Sequence, residues 1–579
     1  MKNFLLFLFA ACTLLSCKEK SETGSGDFGK MSDSLVNDYL AWRPQYGVYL
    51  GYHEYDGKMT DLSKASIDAE LARLKMMDAK LSAIDSSTLS TRDFYDLQIL
   101  QHGIKTEIFN MEELGIFTKN PMTYAGAIDA NIYIKRAYAP IEDRLKAIIA
   151  MENQAPALYE NAKANLLDTL AKPYVETAIQ IARGSTAFLG GDLVTAIKDV
   201  KNDTLMSSFK AANKKAIDAI NAYADYLEKE KLPKSHNRYA IGREKYQKML
   251  TYNEGITLTP ERILEIGLRE LKKEQEIFNA AAKIIDPAKK PVEVYNDLQN
   301  EHPTAEKLLP DTRKTLESIR QYLIDKKIVT MPSEVRVKVE ETPQYARETS
   351  TASMDSPGPF EKKSTEAYYY ITPVNNKWTP KQQEDWLRQF NYFSNDVVTI
   401  HEAYPGHYTQ FLHLNASSAS RIEKIFASYA FVEGWAHYTE KMMLDDGFGN
   451  NGDAKHAAKY RLAQSGEALL RLCRLCVSVK THCQGMTIDE GTKFFMDNWY
   501  QGDKPSRQEA LRGTFDPGYL YYTIGKLQIL KLRADYQKQE GANFSQQKFH
   551  DLILDNGMPP VRLLREVLLK DKSIWGDIL

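Results

Sequence analysis

The chain has 579 residues, of which 43% are hydrophobic, 26% are charged and 11% are aromatic. These proportions are typical of a soluble globular protein and exclude a disordered or collagen-like chain. Lysine and arginine total 75 against 77 aspartate and glutamate residues, so the net charge is −2. Because there is no basic excess to neutralise a phosphate backbone, we predict no nucleic-acid partner.

The N-terminus has the pattern of a targeting segment. After one lysine, the residues from Phe4 to Leu15 are almost wholly apolar, a run too short to span a bilayer but suited to a signal peptide. It ends in Leu-Leu-Ser-Cys17, which resembles the lipobox of bacterial lipoproteins. The resemblance implies cleavage before Cys17 and lipid attachment there, which would anchor the protein to a membrane of the bacterial cell envelope. An ordinary secretory signal with a chance cysteine is the alternative.

The remaining sequence shows few internal boundaries. We predict residues 1–16 as the signal peptide and residues 17–30, which are polar and rich in glycine and serine, as a flexible tether. No similar linker interrupts residues 31–579, so we predict one large domain, either undivided or built of two lobes. The spacing of the three cysteines that follow Cys17 fits no structural zinc site. We expect these to be free, buried thiols: Cys473, Cys476 and Cys483.

Most of the chain carries apolar residues at helical spacing. The clearest predicted helices span residues 65–84, 92–114, 141–170, 174–189, 205–232 and 260–285. Strand patterns are confined to residues 334–339, which alternate strictly, and 367–372, which are rich in strand-forming residues. Residues 353–359 between them are predicted as a turn-rich loop. The sequence therefore predicts a mostly α fold with a small β ribbon near residues 334–374.

Histidines are concentrated in one short part of the chain. Five of the eleven lie within residues 401–456, and the first two open and close the motif His401-Glu-Ala-Tyr-Pro-Gly-His407. Zinc peptidases often place two histidines four residues apart on one helix face, with a glutamate beside them. Here the spacing is six residues, which puts the rings about 120° apart on a straight helix. We therefore predict that Pro405 and Gly406 break the helix and return His407 to the side of His401.

A second motif, Glu433-Gly-Trp-Ala-His437, follows on what the pattern predicts to be another helix. Its glutamate and histidine are four residues apart and so share one helix face. Either could complete a catalytic zinc site, which takes three protein ligands and keeps one position open.

Together these two motifs resemble the bacterial "domain of unknown function 885" family, which is grouped by resemblance with the gluzincin metallopeptidases. Residues 369–378 and residues 512–526 resemble further segments of that family. The resemblance covers nearly all of the mature chain. It implies a large helical gluzincin-like fold, with the β ribbon beside the active-site cleft, and a zinc-dependent peptidase that acts on peptides.

The resemblance also implies roles for the motif residues. His401, His407 and Glu433 would bind zinc, and Glu402 would take the proton from the attacking water. We choose Glu433 as the third ligand because a carboxylate matches the gluzincin pattern and because the adjacent glycine permits close backbone approach. His437 is then a neighbour that supports the site, or a rival ligand.

Other candidate residues lie outside the two motifs. Tyr522, with Tyr521 as second choice, is predicted to stabilise the oxyanion, although both could be ordinary core residues. Arg512 or Arg507 would pair with a substrate carboxylate, or form a structural ion pair. Tyr370 belongs to the predicted strand 367–372, whose edge could accept an extended peptide and so contribute to substrate binding.

Three functions compete at this point. The leading hypothesis is a zinc peptidase that cleaves oligopeptides. A helical surface lipoprotein that captures peptides or glycans without catalysis is the second, but it leaves Glu402 and the histidine cluster unexplained. The third keeps the zinc site and changes the substrate to an ester or a non-peptide amide, because the same chemistry serves both.

Overall fold

The computed structural model describes residues 23–343, 347 and 350–579. The predicted signal peptide and Cys17 therefore lie outside the described residues. The first helix, α1, spans Thr23–Trp42, so the last eight residues of the segment predicted as a tether are helical. Within the described residues, none of the helices combines the length and the hydropathy that a membrane span requires.

The first part of the chain is entirely helical in its regular structure. Its α-helices after α1 are α2 (Pro44–Leu50), α3 (Lys64–Ser82), α4 (Thr91–Ile108), α5 (Ile116–Lys119), α6 (Met122–Ala125), α7 (Asn131–Lys135), α8 (Ile141–Glu152), α9 (Ala155–Asn165), α10 (Lys172–Gly190), α11 (Asp192–Ala196) and α12 (Asp203–Tyr226). Their buried apolar residues form one hydrophobic cluster, which Ile422, Ile425 and Leu563 join from later in the chain.

A helical segment and the sheet follow. The helices are α13 (Arg243–Glu254), α14 (Pro260–Ile285), α15 (Pro291–Leu298) and α16 (Leu308–Lys326), and the strands are β1 (Val337–Glu341), β2 (Ala352–Asp355) and β3 (Ala367–Ile371). The C-terminal helices are α17 (Pro380–Leu387), α18 (Tyr392–Glu402), α19 (His407–Ala416), α20 (Arg421–Ile425), α21 (Tyr429–Asp445), α22 (Ala454–Gln484), α23 (Ile488–Trp499), α24 (Asp503–Phe515), α25 (Tyr521–Glu540), α26 (Gln546–Leu554) and α27 (Val561–Leu568).

The predicted mostly helical fold with a small sheet is confirmed, and α14 has the predicted bounds. One predicted helix is wrong: residues 141–170 form two helices, α8 and α9, with a turn between them. Pro156 stands in the first turn of α9, where proline starts a helix because its ring blocks the hydrogen bond of a continuing one. Cys473 and Cys476 are buried and Cys483 half-buried, all three as free thiols.

The sheet has the strand order β1-β3-β2, with β1 parallel and β2 antiparallel to β3. Two expectations need correction here. β2 occupies part of the segment predicted as a loop, because a four-residue strand is too short to show an alternating pattern. The strand predicted to offer a free edge is β3, but it is the central strand, and β1 and β2 are the two edge strands.

Two further hydrophobic clusters complete the core. The second gathers the sheet, α16, α18, α26 and α27, and the third forms where α14 packs along α22. Both clusters draw residues from α21 and α25: Phe431 and Ile529 belong to the second, and Ala430 and Ile524 to the third. These two helices therefore lie at the seam between the clusters, and they carry Glu433 and Tyr522 of the candidate site.

Candidate metal centre

The helix that carries His401 is interrupted before His407. α18 ends and α19 begins on either side of a short connection that contains a cis peptide bond before Pro405. Gly406 donates its N–H to the carbonyl of Ile400 at 3.0 Å. A Cβ on Gly406 would lie 1.8 Å from the carbonyl oxygen of His401, so only glycine fits. The predicted break is confirmed, and it brings the two imidazole rings to 4.9 Å between centroids.

Glu433 on α21 meets these two histidines. Its Oε2 lies 3.5 Å from Nε2 of His401 and 3.5 Å from Nε2 of His407. The ligand atoms of all three residues lie within 4.8 Å of one another. Their side chains are 6, 12 and 18% exposed for His401, His407 and Glu433 respectively, so the cluster is largely buried but open on one side.

The distances between these atoms test whether a metal ion fits. Hydrogen bonds between them would be about 2.7–3.2 Å long. Ligands about 2.0–2.2 Å from one tetrahedral zinc ion lie about 3.3–3.5 Å apart, which matches the 3.5 Å observed from Glu433 to each of the two histidines. Oε2 of Glu433 also lacks a hydrogen-bond partner within the part of the chain that the structure describes. The three residues therefore fit a zinc ion.

Glu440, two turns after Glu433 on α21, supports His401 from behind. Its Oε1 accepts a hydrogen bond from Nδ1 of His401 at 2.7 Å, because an ionised carboxylate has no proton to donate. Because this bond occupies Nδ1, Nε2 is the ring nitrogen that faces Glu433, as in metal sites where a carboxylate orients a histidine ligand. Burial raises the pKa of Glu440, but Arg471 and His437 outweigh burial and hold it well below its usual range.

His437 lies on the far side of Glu440 and both of its ring nitrogens are engaged. Nδ1 is 3.2 Å from Oε2 of Glu440, and Nε2 is 3.2 Å from Nζ of Lys526. Burial and the neighbouring Lys526 lower the pKa of His437 to about 3, so the ring is neutral and donates to Glu440. The structure thus places His437 in a buried network behind the metal-ligand cluster.

Glu402 directly follows His401 and faces the sheet. The backbone N–H of Met354 on the edge strand β2 donates to Oε2 of Glu402 at 3.1 Å. Since this N–H points away from the sheet, the free edge of β2 runs past the carboxylate. A carboxylate held here, beside the metal ligands, is positioned to receive a proton from a water molecule in the cleft.

A close helix crossing brings Tyr522 to the cluster. A Cβ on Gly525 of α25 would lie 1.7 Å from the carbonyl oxygen of Ala430, and a Cβ on Gly434 would lie 2.4 Å from Cα of Gly525. The helices therefore pack backbone against backbone, which sets the ring of Tyr522 6.5 Å from that of His401. Burial raises the pKa of Tyr522, so its hydroxyl keeps the proton it would donate.

Three arginines surround Tyr522. The guanidinium carbons of Arg474, Arg471 and Arg512 lie 5.2, 5.9 and 6.0 Å from its ring centroid. Arg471 and Arg474 come from α22, and Arg512 from α24. Among these three, only Arg512 was predicted at the site.

Three predicted residues lie elsewhere. Tyr521 points into the third hydrophobic cluster, with its hydroxyl 3.4 Å from the carbonyl of Met249. Arg507 forms an exposed ion pair with Asp489 at 2.8 Å. Tyr370 lies on the sheet face opposite Tyr369, which contacts α18, and its ring packs near Lys135 at 5.2 Å.

Sequence reasoning missed Glu440, Arg471 and Arg474. The signal for Glu440 was its position seven residues after Glu433, which returns it to the same face of the helix. The signal for the arginines was their place, three residues apart, in the otherwise apolar run Leu-Leu-Arg-Leu-Cys-Arg-Leu-Cys of a helix that is buried along most of its length. Charged residues in such a run are paired.

The profile of a family described as bacterial proteins of unknown function, DUF885, matches residues 44–568. The chain therefore belongs to this family, as its motifs indicated. No curated protein matched the chain.

Two solved structures have the same fold. One is a predicted lipoprotein of unknown function from Shewanella oneidensis, with 25% sequence identity and a TM-score of 0.78, covering 94% of this chain and 100% of that one. The other is a predicted lipoprotein from Colwellia psychrerythraea, with 19% identity and a TM-score of 0.74, covering 93% and 97%.

Proposed function

We propose that this protein is a zinc-dependent hydrolase that cleaves peptide bonds of oligopeptides. One observation carries the proposal: Glu433 and two histidines from separate helices direct three ligand atoms at a common point, with zinc-like separations. A protein that only captures ligands has no need of such a cluster, and it has no need of a carboxylate such as Glu402 beside the cluster.

Different residues around the cluster would carry out different steps of hydrolysis. Bound zinc would polarise the scissile carbonyl and acidify a water molecule. Glu402 accepts the proton of the attacking water and passes it to the leaving amine, so that water adds across the C–N bond. Tyr522 donates its hydroxyl hydrogen bond to the developing oxyanion.

The free edge of β2 would hold the peptide. An extended chain added to this edge forms main-chain hydrogen bonds along it and passes Glu402, which the N–H of Met354 already contacts. Peptides suit this edge better than small esters, because an ester offers no run of backbone groups to pair with it.

We also propose that the protein is a lipoprotein of the bacterial cell envelope, anchored through Cys17. Its N-terminal sequence supports this assignment, as do the related proteins from Shewanella oneidensis and Colwellia psychrerythraea, which are described as predicted lipoproteins.

The variant Glu402→Gln tests the hydrolase proposal. Glutamine keeps the shape of the side chain but cannot take a proton, so the variant should bind zinc as the wild type does and lose nearly all hydrolysis. Zinc content is measured by mass spectrometry of the metal, and hydrolysis by chromatography of a peptide mixture. A variant with unchanged turnover would show that Glu402 is not the base.

A further inference from the structure

Two of the arginines beside Tyr522 are oriented by acidic partners. Nε and Nη2 of Arg474 donate to the two carboxylate oxygens of Glu509 at 2.7 and 2.8 Å. Nε and Nη2 of Arg512 both donate to Oδ2 of Asp516, at 3.0 and 2.9 Å. Each acid thus occupies one edge of a planar guanidinium group and fixes its orientation.

The other edge of each group is not used by an acid. Nη1 of Arg474 and Nη1 of Arg512 have no carboxylate partner among residues 23–343, 347 and 350–579. The side chain of Arg512 is 33% exposed and that of Arg474 is 9% exposed, so Arg512 reaches the solvent while Arg474 lies behind it. The two groups flank Tyr522, and Nη2 of Arg512 also donates to the hydroxyl of Tyr429 at 3.3 Å. The Nη1 donors, which no acid occupies, can serve an incoming anion.

The third arginine is held between two carboxylates, and its buried Nε lacks a partner among the described residues. Arg471 is paired with Glu467 and lies 3.4 Å from Glu440. It belongs to the network behind His401 and is not available to a ligand. The candidate anion site therefore consists of Arg512 and Arg474.

The distance of this candidate anion site from the cluster of His401, His407 and Glu433 determines which part of a bound substrate the site would contact. The ring of Tyr522 separates the arginines from His401, at 6.5 Å between rings. One residue of extended peptide spans about 3.3–3.6 Å. The guanidinium carbons of Arg474 and Arg512 lie a further 5.2 and 6.0 Å from the centroid of the Tyr522 ring. A group held by the arginines would therefore lie within about three residues of a carbonyl placed at the cluster.

We propose that Arg512, with Arg474 behind it, binds the α-carboxylate of a substrate, so that the enzyme removes residues from the C-terminal end of peptides. The inference rests on the proposed function and specifies its substrate class. A guanidinium edge matches a carboxylate in shape and in charge, and the paired acids keep both groups in place. An acidic side chain on the last residue also carries a carboxylate that the arginines could bind. The first test distinguishes that side chain from the α-carboxylate.

The first test compares three matched peptides with the zinc-loaded wild type: one with a free C-terminus, its C-terminal amide, and an amide that ends in glutamate. We expect kcat/KM for the free acid to exceed that for the plain amide by about 10- to 100-fold, as for a hydrogen-bonded charge. The glutamyl amide should behave like the plain amide. Equal rates for acid and amide, or rescue by the glutamyl side chain, would overturn the α-carboxylate assignment.

The second test asks which residue reads the carboxylate. Arg512→Gln should raise KM for the free acid by a factor about 10-fold or more larger than the factor by which it changes KM for the amide. Arg512→Lys should recover only part of the loss because lysine lacks the planar edge. The control is Arg183→Gln in the N-terminal helices. This variant breaks the ion pair of Arg183 with Asp225, and the Arg183 side chain is 40% exposed, which is comparable to Arg512. A loss for acid and amide alike would assign Arg512 a structural role only.

A binding measurement separates this proposal from the hydrolase proposal. In calorimetric titrations of zinc-loaded Glu402→Gln, the free acid should bind at least about 10-fold more tightly than the amide. If neither peptide is hydrolysed by the wild type but this difference holds, hydrolysis fails and the carboxylate site stands. If both are hydrolysed and bound equally well, the hydrolase stands and the carboxylate site fails.

Discussion

At the scale of single residues, the site depends on how each ligand is held. Glu440 is the residue that holds His401, through a 2.7 Å hydrogen bond to Nδ1. Replacing it by glutamine leaves an acceptor oxygen but removes the charge that fixes the tautomer of the imidazole and raises its basicity as a ligand. We expect Glu440→Gln to weaken zinc binding by about 10- to 100-fold.

Competition with a fluorescent chelator measures this affinity. Exposed Glu160, which pairs with Lys163 on α9, provides the control Glu160→Gln. Zinc affinity equal to that of the control variant would show that Glu440 does not position the ligand.

Tyr522 gives a different expectation because we propose that it contacts the substrate and does not bind the metal. Tyr522→Phe removes one hydroxyl and keeps the ring, which packs among the arginines. Loss of one oxyanion donor should lower kcat by about 100- to 1,000-fold and leave zinc content unchanged. Steady-state kinetics with one peptide measure the change in kcat. The matched control is Tyr521→Phe, because Tyr521 lies in the hydrophobic core. A fall in zinc content instead of kcat would contradict this role.

Much of this residue-level picture could be predicted. The six-residue spacing of the two histidines required a break, and the Pro405-Gly406 pair showed where it falls. The choice between Glu433 and His437 could not be derived from spacing alone, since both share one helix face. The structure separates them because the crossing of α21 with its neighbours turns Glu433 towards the histidines and His437 towards Lys526.

At the scale of elements, the crossing of α21 and α25 fixes the distance from Tyr522 to the cluster. Gly525→Ala would place a methyl group 1.7 Å from the carbonyl oxygen of Ala430, so the helices must separate. We expect a loss of stability of at least about 1–3 kcal/mol, together with a lower kcat.

Gly184→Ala on α10 is the control, because no atom lies within 4 Å of its added methyl group. Alanine there should stabilise the helix by about 0.5–1 kcal/mol. Chemical denaturation of both variants tests the pair, and a stable Gly525→Ala variant with full activity would refute the close crossing.

Element prediction succeeded where periodicity runs long and failed where it is short or interrupted. α14 has 26 residues with a threonine cap and an N-terminal proline, and its bounds were predicted. β2 has four residues, fewer than an alternating pattern needs, and its existence depends on pairing with β3. Its place at the sheet edge also follows from strand order, which sequence patterns do not encode.

At the scale of the whole molecule, the cluster of His401, His407 and Glu433 lies at the seam of the second and third hydrophobic clusters, and the N-terminal helices form the first. Arg136, just after α7, joins the N-terminal helices to the sheet through Asp355 of β2 at 2.7 Å and the carbonyl of Glu366 at 2.9 Å. The edge strand that faces Glu402 is thus held from both sides. The N-terminal helices therefore support the substrate edge although they contribute no metal ligand.

The N-terminal helices should also make stability depend on pH. Glu152 is fully buried on α8 without a hydrogen-bond partner for either carboxylate oxygen among the described residues, and burial raises its pKa to about 8. The contribution of Glu152 to the free energy of unfolding is therefore fully present below the unfolded-state pKa of about 4.5. This contribution is lost as the pH rises through about 8.

The variant Glu152→Gln removes this ionisation. At pH 9 it should be more stable than the wild type by on the order of a few kcal/mol, and the advantage should shrink towards pH 5. Thermal unfolding at both pH values measures the difference. An advantage that is the same at both would show that Glu152 ionises freely in the folded protein.

The central claim is that His401, His407 and Glu433 bind one zinc ion, and zinc content of purified variants tests it most directly. The wild type should retain one equivalent of zinc after dialysis against a micromolar chelator. Under the same conditions Glu433→Ala should lose the metal, and His437→Ala should keep it. Zinc retained by Glu433→Ala and lost by His437→Ala, or a wild type that binds none, would contradict the account.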